Sequence, residues 1–247
     1  MDCQSGKIVF ITGGNRGLGF ETAKRLGSLG MTLLIGSRKL SNGQLAVNQL
    51  QALGYNAETI HYDAREPRLV DAVCKHIDDK YGKLDVLVNN AGILLEQVMD
   101  KNSSSSVSPA VLEETFQINV FAIVVLTQKL LPLIKKSDAG RIVNLSSILG
   151  SHTLHSMKNS PIEPAKAFAY NASKSALNAY TIHLAHELRD TSVKVNSAHP
   201  GWVKTELGGP DAPMEIVDSY KTCTRLATLD SKGPTGGFFH EEDTLPW

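Results

Sequence analysis

Apolar positions along this chain fall into short continuous runs that alternate with longer stretches of helical spacing. The first run, Lys7-Ile8-Val9-Phe10-Ile11-Thr12, ends in glycines. A continuous run of that length suits a strand buried on both faces, as in a parallel sheet. Helical spacing follows from Phe20 to Leu29 and stops at Gly30, before a second apolar strand from Thr32 to Gly36. The pattern then repeats. It predicts a helix over Gln44 to Leu53, a strand over Glu58 to Tyr62, a helix over Arg68 to Tyr81 and a strand over Leu84 to Val88. A long helix runs from Val111 to Ile134, with Ser108 placed to cap it and Pro109 at its first position. A strand over Arg141 to Leu145, a helix over Ala165 to Leu188, a strand over Val193 to Ser197 and a short strand over Gly237 to Phe239 complete the series.

Strands and helices that alternate from end to end predict βαβ units in a doubly wound parallel sheet of about seven strands. Right-handed crossovers place helices on both faces. No internal repeat or long linker divides the 247 residues, so residues 1–247 are expected to form one α/β domain of Rossmann type. Two stretches break the rhythm. Lys101 to Ser108 contains four consecutive serines and reads as a solvated loop; residues 151–164 read as an irregular excursion. Residues 206–230 begin with a Gly- and Pro-rich run and are expected to cover a substrate pocket.

Composition narrows the classes. Hydrophobic residues make up 42% and charged residues 20%, enough apolar material for a sizeable core. Lys plus Arg equals Asp plus Glu at 25 each, so no global field recruits nucleic acid or an anionic membrane. No apolar run reaches the ~20 residues that span a bilayer; Val120 to Ile134 is interrupted by Thr127-Gln128-Lys129 and Pro132. The polar start, Met1 to Lys7, does not read as a signal peptide. Cys3, Cys74 and Cys223 are odd in number, lack metal-ligand spacing and read as free thiols, which places the protein in the cytoplasm.

Candidate chemistry lies at the strand ends, where such folds bind ligands. Thr12-Gly13-Gly14-Asn15-Arg16-Gly17-Leu18-Gly19 joins the first strand to the first helix. Glycines there permit a tight turn, close approach of backbone to a phosphate, and close packing of helix on sheet. The helix N-terminus offers free N–H groups to a pyrophosphate. Tyr170-Asn171-Ala172-Ser173-Lys174 puts a phenol and an ammonium one turn apart on a helical face. A nearby positive charge favours phenolate and tunes the hydroxyl toward acid–base work.

These motifs resemble, in identity and order, those of the short-chain dehydrogenase/reductase family, over essentially the whole chain. The shared elements are the glycine turn, Asn89-Asn90-Ala91-Gly92 after the fourth strand, Asn119 in the long helix, Ser147 after the fifth strand, Tyr170 with Lys174, and Pro200-Gly201 after the sixth. The ending Gly236-Gly237-Phe238-Phe239 with Pro246-Trp247 is similar to carbonyl-reductase-like members. The resemblance implies reduction of a small-molecule carbonyl to an alcohol, or the reverse. Tyr170 would be the proton donor and Ser147 would polarise the carbonyl. Lys174 would lower the Tyr170 pKa and hold the nicotinamide ribose, and Asn119 would hold a water linked to Lys174. It also implies cofactor contacts from Gly13, Gly17, Leu18 and Gly19, from Asp63 and Ala64 at the adenine, from Asn90, Ala91 and Gly92 at the adenosine ribose, and from Pro200, Gly201, Val203 and Thr205 near the nicotinamide.

The second strand ends in Gly36-Ser37-Arg38 with no Asp or Glu. An acid there bonds the ribose 2′-hydroxyl of NAD, whereas Arg38 beside Ser37 suits a 2′-phosphate, with Asn15 and Arg16 adding a donor and a charge. The expected cofactor is therefore NADP(H). Other readings stay open. Physics alone does not choose between Ser146 and Ser147; Asn89 reads as structural; Asp63 also suits a turn; a non-catalytic NADP(H)-binding sensor would share the fold without needing the tetrad. His183 and His186 lack a third ligand, so no metal is expected. Leu94, Leu149, Leu154 and Trp202 suggest a modestly hydrophobic substrate. The polar excursion 151–164 is expected to border the pocket, and the resemblance to carbonyl-reductase-like members, which carry an insertion here, implies a monomer or weak homodimer.

Overall fold

The computed structural model describes residues 4–96 and 104–247. Cys3 and the first residues of the serine-rich stretch lie outside them. The sheet has eight strands in the order β3-β2-β1-β4-β5-β6-β7-β8: β1 Ile8–Thr12, β2 Thr32–Ser37, β3 Ala57–His61, β4 Val86–Asn89, β5 Arg141–Leu145, β6 Lys194–Ala198, β7 Phe238–His240 and β8 Asp243–Thr244. The first seven run parallel, and β8 returns antiparallel to β7. β8 escaped the sequence because its two residues are exposed and too few to show a period. Strand order reverses between β1 and β4, the switch point at which open α/β sheets bind ligands.

Alternate residues of each strand feed two cores. Phe10, Leu34, Leu87, Ile142 and Val195 pack under α3 (Arg68–Tyr81), α5 (Ala122–Ile134) and α7 (Phe168–Glu187). Val9, Ile11, Leu33, Ile35 and Val88 pack under α1 (Gly17–Ser28), α2 (Leu40–Ala52) and α8 (Lys221–Ala227). Both faces are covered, which is why the strands read as unbroken apolar runs. Tyr62 falls outside β3, yet its ring is buried and meets Phe10 edge-on at 6.0 Å.

Helix boundaries depart from the apolar pattern where a first turn faces solvent or carries glycine. α1 opens at Gly17, ahead of Phe20, and α2 opens at the exposed Leu40. The expected long helix is three pieces: α4 (Pro109–Phe116), one π turn (Gln117–Phe121) and α5. Ser108 does cap α4, its side chain accepting from the Val111 N–H, with Pro109 in the first turn. Pro132 is accommodated within α5. The helical run from Pro109 to Ile134 is thus long and apolar enough by composition to cross a membrane, contrary to expectation, though 56% of its most apolar window is buried inside the chain itself. The excursion 151–164 contains a one-turn helix, α6 (His152–Ser156). Within 206–230, α8 packs Cys223, Leu226 and Ala227 into the second core.

A buried polar seam ties α7 to the sheet. The Asn89 amide donates to Asn144 Oδ1 at 2.9 Å and to Thr127 Oγ1 at 3.1 Å. Asn144 donates to Thr181 Oγ1 at 2.9 Å, and Thr181 lies 2.9 Å from Ser197 Oγ. One turn up the same helix face, Ser146 donates to Asn178 Oδ1 at 2.7 Å. Strands β4, β5 and β6 are thereby bonded to the helix that carries Tyr170. Thr181→Val keeps the shape but orphans the Asn144 amide, and should cost ~1–3 kcal/mol of stability. A denaturant titration measures it through the midpoint at constant slope.

Candidate active site

The glycine turn is built around Thr12. Its hydroxyl accepts from the Asn90 N–H at 3.0 Å and the Ala91 N–H at 2.9 Å, clipping the end of β4 to the end of β1. Asn90 returns the contact through its side chain, donating to the Thr12 carbonyl at 2.7 Å and the Gly13 carbonyl at 3.2 Å. Sequence reasoning assigned Asn90 to the cofactor and did not single out Thr12; the structure uses both to brace the turn. Gly13 and Gly17 take φ of 62° and 60°, where other residues are strained. At Gly19 a Cβ would stand 2.6 Å from both Asn90 Nδ2 and the Gly13 carbonyl, so the close approach admits no side chain.

α1 begins behind an extended Arg16 that supplies no capping side chain, and its first turn holds no acid. Its leading N–H groups are open to an anion. These features fit a dinucleotide's phosphates. Asn15 and Leu18 are half-buried beside the turn. Arg16 is turned away from β2, pairing with Glu206 at 2.6 Å with both side chains exposed. Ser37 is buried and donates to the Lys39 carbonyl at 2.9 Å, whereas Arg38 is exposed and has no ion pair among the described residues. Asp63 closes a turn, Oδ1 accepting the Arg65 N–H at 2.9 Å, with Ala64 half-buried next to it.

After β6, Gly201 adopts φ 97°, and a Cβ there would press within 2.7 Å of Met214. Val203 pairs with Met214 in an isolated bridge. The Thr205 hydroxyl accepts from the Gly208 N–H at 2.9 Å, so it holds its own loop. Before Pro200, burial pushes the His199 imidazole down to about 3, so it stays neutral. His183 and His186 are exposed, and no metal-ligand cluster forms among the described residues.

Tyr170, Lys174, Ser147 and Asn119 are all buried at the ends of β4 and β5. Ser147 caps the 3₁₀ turn Ile148–Gly150, Oγ accepting the Leu149 N–H at 3.2 Å, and its side chain lies close to the Tyr170 phenol. Ser146 points the other way, to Asn178. Of the two adjacent serines, Ser147 is the one that stands near the phenol. Burial pushes Tyr170 up to about 12, with Ser147 pulling against it. The Lys174 ammonium donates to the Leu145 carbonyl at 2.7 Å and stands 5.6 Å from the Tyr170 ring centre. Burial brings Lys174 itself down to about 8.

Asn119 sits in the π turn, a distortion frequent at functional sites. Its Oδ1 accepts the Ile93 N–H at 2.9 Å; its Nδ2 donates to the Ile93 carbonyl at 2.9 Å and to Ser173 Oγ at 3.0 Å. Gly92 lies between the two groups: a Cβ there would be 3.2 Å from Asn119 Oδ1 and 3.6 Å from Lys174 Nζ. Two contacts carried no signal in the sequence. Glu96 Oε2 accepts the Tyr170 backbone N–H at 2.9 Å, and Asn171 donates to the Ala165 carbonyl at 2.8 Å. Each joins residues of one local loop or a distant one by geometry that no spacing rule encodes.

A sequence profile described as short chain dehydrogenase matches residues 7–215. The chain belongs to the short-chain dehydrogenase family. It is 33% identical over 249 residues to the short-chain dehydrogenase anuI of Penicillium roqueforti, covering 96% of this chain and 95% of that one. It is 29% identical to carbonyl reductase [NADPH] 1 of Homo sapiens, covering 97% and 98%. Among solved structures, a short chain dehydrogenase from Escherichia coli complexed with NADPH superposes with a TM-score of 0.85 at 27% identity, covering 98% and 99%.

The buried ammonium has a measurable signature. The folded chain releases the Lys174 proton near 8, while an unfolded lysine keeps it to ~10.4. The unfolded state binds more protons in between, so this group makes stability rise with pH across that window. Lys174→Met should abolish that part of the rise. Denaturant midpoints of parent and variant at about pH 7 and about pH 10 should then diverge, the parent gaining relative to the variant.

Proposed function

We propose that this chain is an NADP(H)-dependent oxidoreductase that interconverts a ketone or aldehyde with its alcohol. The observation that carries the reading is the shared burial of Tyr170, Lys174, Ser147 and Asn119 at the strand ends, with the Lys174 ammonium 5.6 Å from the Tyr170 ring centre, next to an uncapped, glycine-lined helix start. A bound dihydronicotinamide supplies hydride. The protein's part is to hold the carbonyl and deliver the matching proton. A phenol near 12 keeps its proton at neutral pH and can donate it from Oη to the carbonyl oxygen as negative charge gathers there. The Ser147 hydroxyl stabilises the same oxygen. The Lys174 ammonium would hold ribose hydroxyls, and its fixed charge would favour the phenolate that donation leaves. Asn119 would organise the solvent link behind Lys174, from its place beside Gly92.

Gly13, Gly17, Leu18 and Gly19 would receive the pyrophosphate. Asp63 and Ala64 would face adenine; Asn90, Ala91 and Gly92 would flank the adenosine ribose; Pro200, Gly201, Val203 and Thr205 would flank the carboxamide. Arg38, exposed at the end of β2 without an acidic neighbour in the strand, would grip the 2′-phosphate alongside Ser37 and Asn15. The NADPH-bound relative and the NADPH-named carbonyl reductase support this assignment. Exposed Trp202, Leu207 and Val217, in segments that follow β6, support an apolar carbonyl compound.

NADPH consumption across a panel of aldehydes, ketones and quinones tests the activity. Tyr170→Phe should keep fold and cofactor affinity but lose at least ~10²-fold in turnover, the low end for a general acid. Parent-like turnover in that variant would remove Tyr170 from the mechanism. Arg38→Ala should weaken NADPH roughly ten- to a hundredfold, as loss of a charged hydrogen bond implies, and leave NADH nearly untouched. Titration of both cofactors reads this, and equal affinities of the parent protein for the two would sink the NADP(H) assignment.

A further inference from the structure

Helix α7 starts badly by its own sequence. Its N-cap position is Ala167, which has no side chain to accept a hydrogen bond, and its first turn contains no acid. Alanine is among the poorest N-cap residues. The leading N–H groups of such a helix are orphans, and helix ends are where fraying concentrates. Tyr170 is the third residue of this helix. The proposed proton donor therefore stands in the turn least able to hold itself.

The missing acceptor comes from another part of the chain. Glu96 lies in the segment after β4, and its Oε2 accepts the Tyr170 N–H at 2.9 Å. That is the position a capping side chain would serve from inside the helix, and a carboxylate there also suits the positive end of the helix dipole. The segment leading to Glu96 is held as far as Ile93. Thr12 clips Asn90 and Ala91, and Asn119 grips Ile93 through both its N–H and its carbonyl. The chain thus sets out toward Glu96 from the same residues that brace the glycine turn.

We propose that Glu96 is a positioning residue that caps α7 from outside the helix and thereby sets the position of Tyr170. This rests on the reading of Tyr170 as proton donor. The Asn171 amide, bonded to the Ala165 carbonyl, anchors the neighbouring residue from the other side, but it leaves the Tyr170 N–H to Glu96.

The test compares the parent chain with Glu96→Ala, Glu96→Gln and Tyr170→Phe, using NADPH and the best carbonyl compound of the panel. Three quantities are read: kcat, NADPH affinity by fluorescence titration, and hydrogen exchange of the Tyr170 amide. Glu96→Ala should lower kcat roughly two- to thirtyfold, the range of losing a helix cap. NADPH affinity should stay within about twofold, because the loss falls on the reacting geometry rather than on binding. The Tyr170 amide should lose protection. Glu96→Gln keeps a carbonyl oxygen that accepts the same N–H, and should recover most of the rate and protection. Parent-like kcat and exchange in Glu96→Ala would overturn the proposal. So would a fall of kcat and NADPH affinity together with the amide still protected. Should Glu96→Ala fail to fold, Glu96→Gln decides: an unprotected Tyr170 amide in that variant overturns the capping role, and a protected one with near-parent kcat upholds it. Tyr170→Phe separates the two readings. If it turns over like the parent, the acid assignment fails, while the exchange data still judge the cap.

Discussion

The structure depends on keeping a phenol and an ammonium out of water at the end of β5. Tyr170 and Lys174 are each almost wholly buried, and desolvation moves their proton affinities in opposite directions, the phenol up and the ammonium down. An isolated buried charge is costly. Here Lys174 has one strong acceptor, the Leu145 carbonyl, at the end of the strand that leads to Ser147. That bond fixes α7 against β5 at the point where the chemistry is proposed. The polar seam through Asn89, Asn144, Thr181 and Ser197 fixes the same helix further along. Both sets of contacts lie on one helix face, because residues 170, 174, 178 and 181 recur at helical spacing. A helix held only by apolar packing would be free to slide by fractions of an ångström. Hydrogen bonds with defined partners in a low-dielectric interior are less forgiving.

The cofactor side of the site is organised by space rather than by charge. Gly19 and Gly201 are positions where a Cβ would collide with backbone or a packed side chain, and Gly13 and Gly17 take conformations other residues resist. The Thr12–Asn90 clip then makes the turn rigid by joining two strands that are neighbours only because the sheet reverses between them. The switch point is where two chain directions diverge and leave a crevice. The same clip holds Asn90 and Ala91 at the start of the segment whose Glu96 bonds the first turn of α7.

Much of this was legible in the sequence, for definite reasons. Strands buried on both faces read as continuous apolar runs, so β1, β2 and β5 were placed to within a residue. Tyr170 and Lys174 were legible because helical spacing is local. What escaped was either too short, solvent-facing or non-local. β8 has two exposed residues. α8 hides after a Gly- and Pro-rich run, and its burial shows only once the sheet is assembled. The π turn at Asn119 adds a residue to one helical turn within an otherwise uniform apolar stretch, which leaves the period nearly unchanged. The partner of the Tyr170 N–H lies 74 positions earlier in the chain, beyond any pattern of spacing. Spacing puts the Tyr170 and Lys174 side chains on one face, but their burial and the Leu145 carbonyl that Lys174 bonds show only in three dimensions.

The two arginines near the glycine turn show how exposure, rather than residue type, sorts candidates for a phosphate. Arg16 and Arg38 carry the same group. Arg16 is committed to Glu206 in a pair of which both partners are more than two-thirds exposed. Such a pair is worth ~0–1 kcal/mol, because water and salt screen it and two long side chains must be ordered to make it. It therefore holds Arg16 only weakly and joins the glycine turn to the segment after β6 without locking either. Arg38 has no such competitor among the described residues, and it follows buried Ser37, whose hydroxyl donates to the Lys39 carbonyl. A guanidinium that need break no existing pair gives more of its interaction to an incoming phosphate. On that ground the proposed assignment favours Arg38 over Arg16 as the cation for a 2′-phosphate, in the order in which the sequence already ranked them.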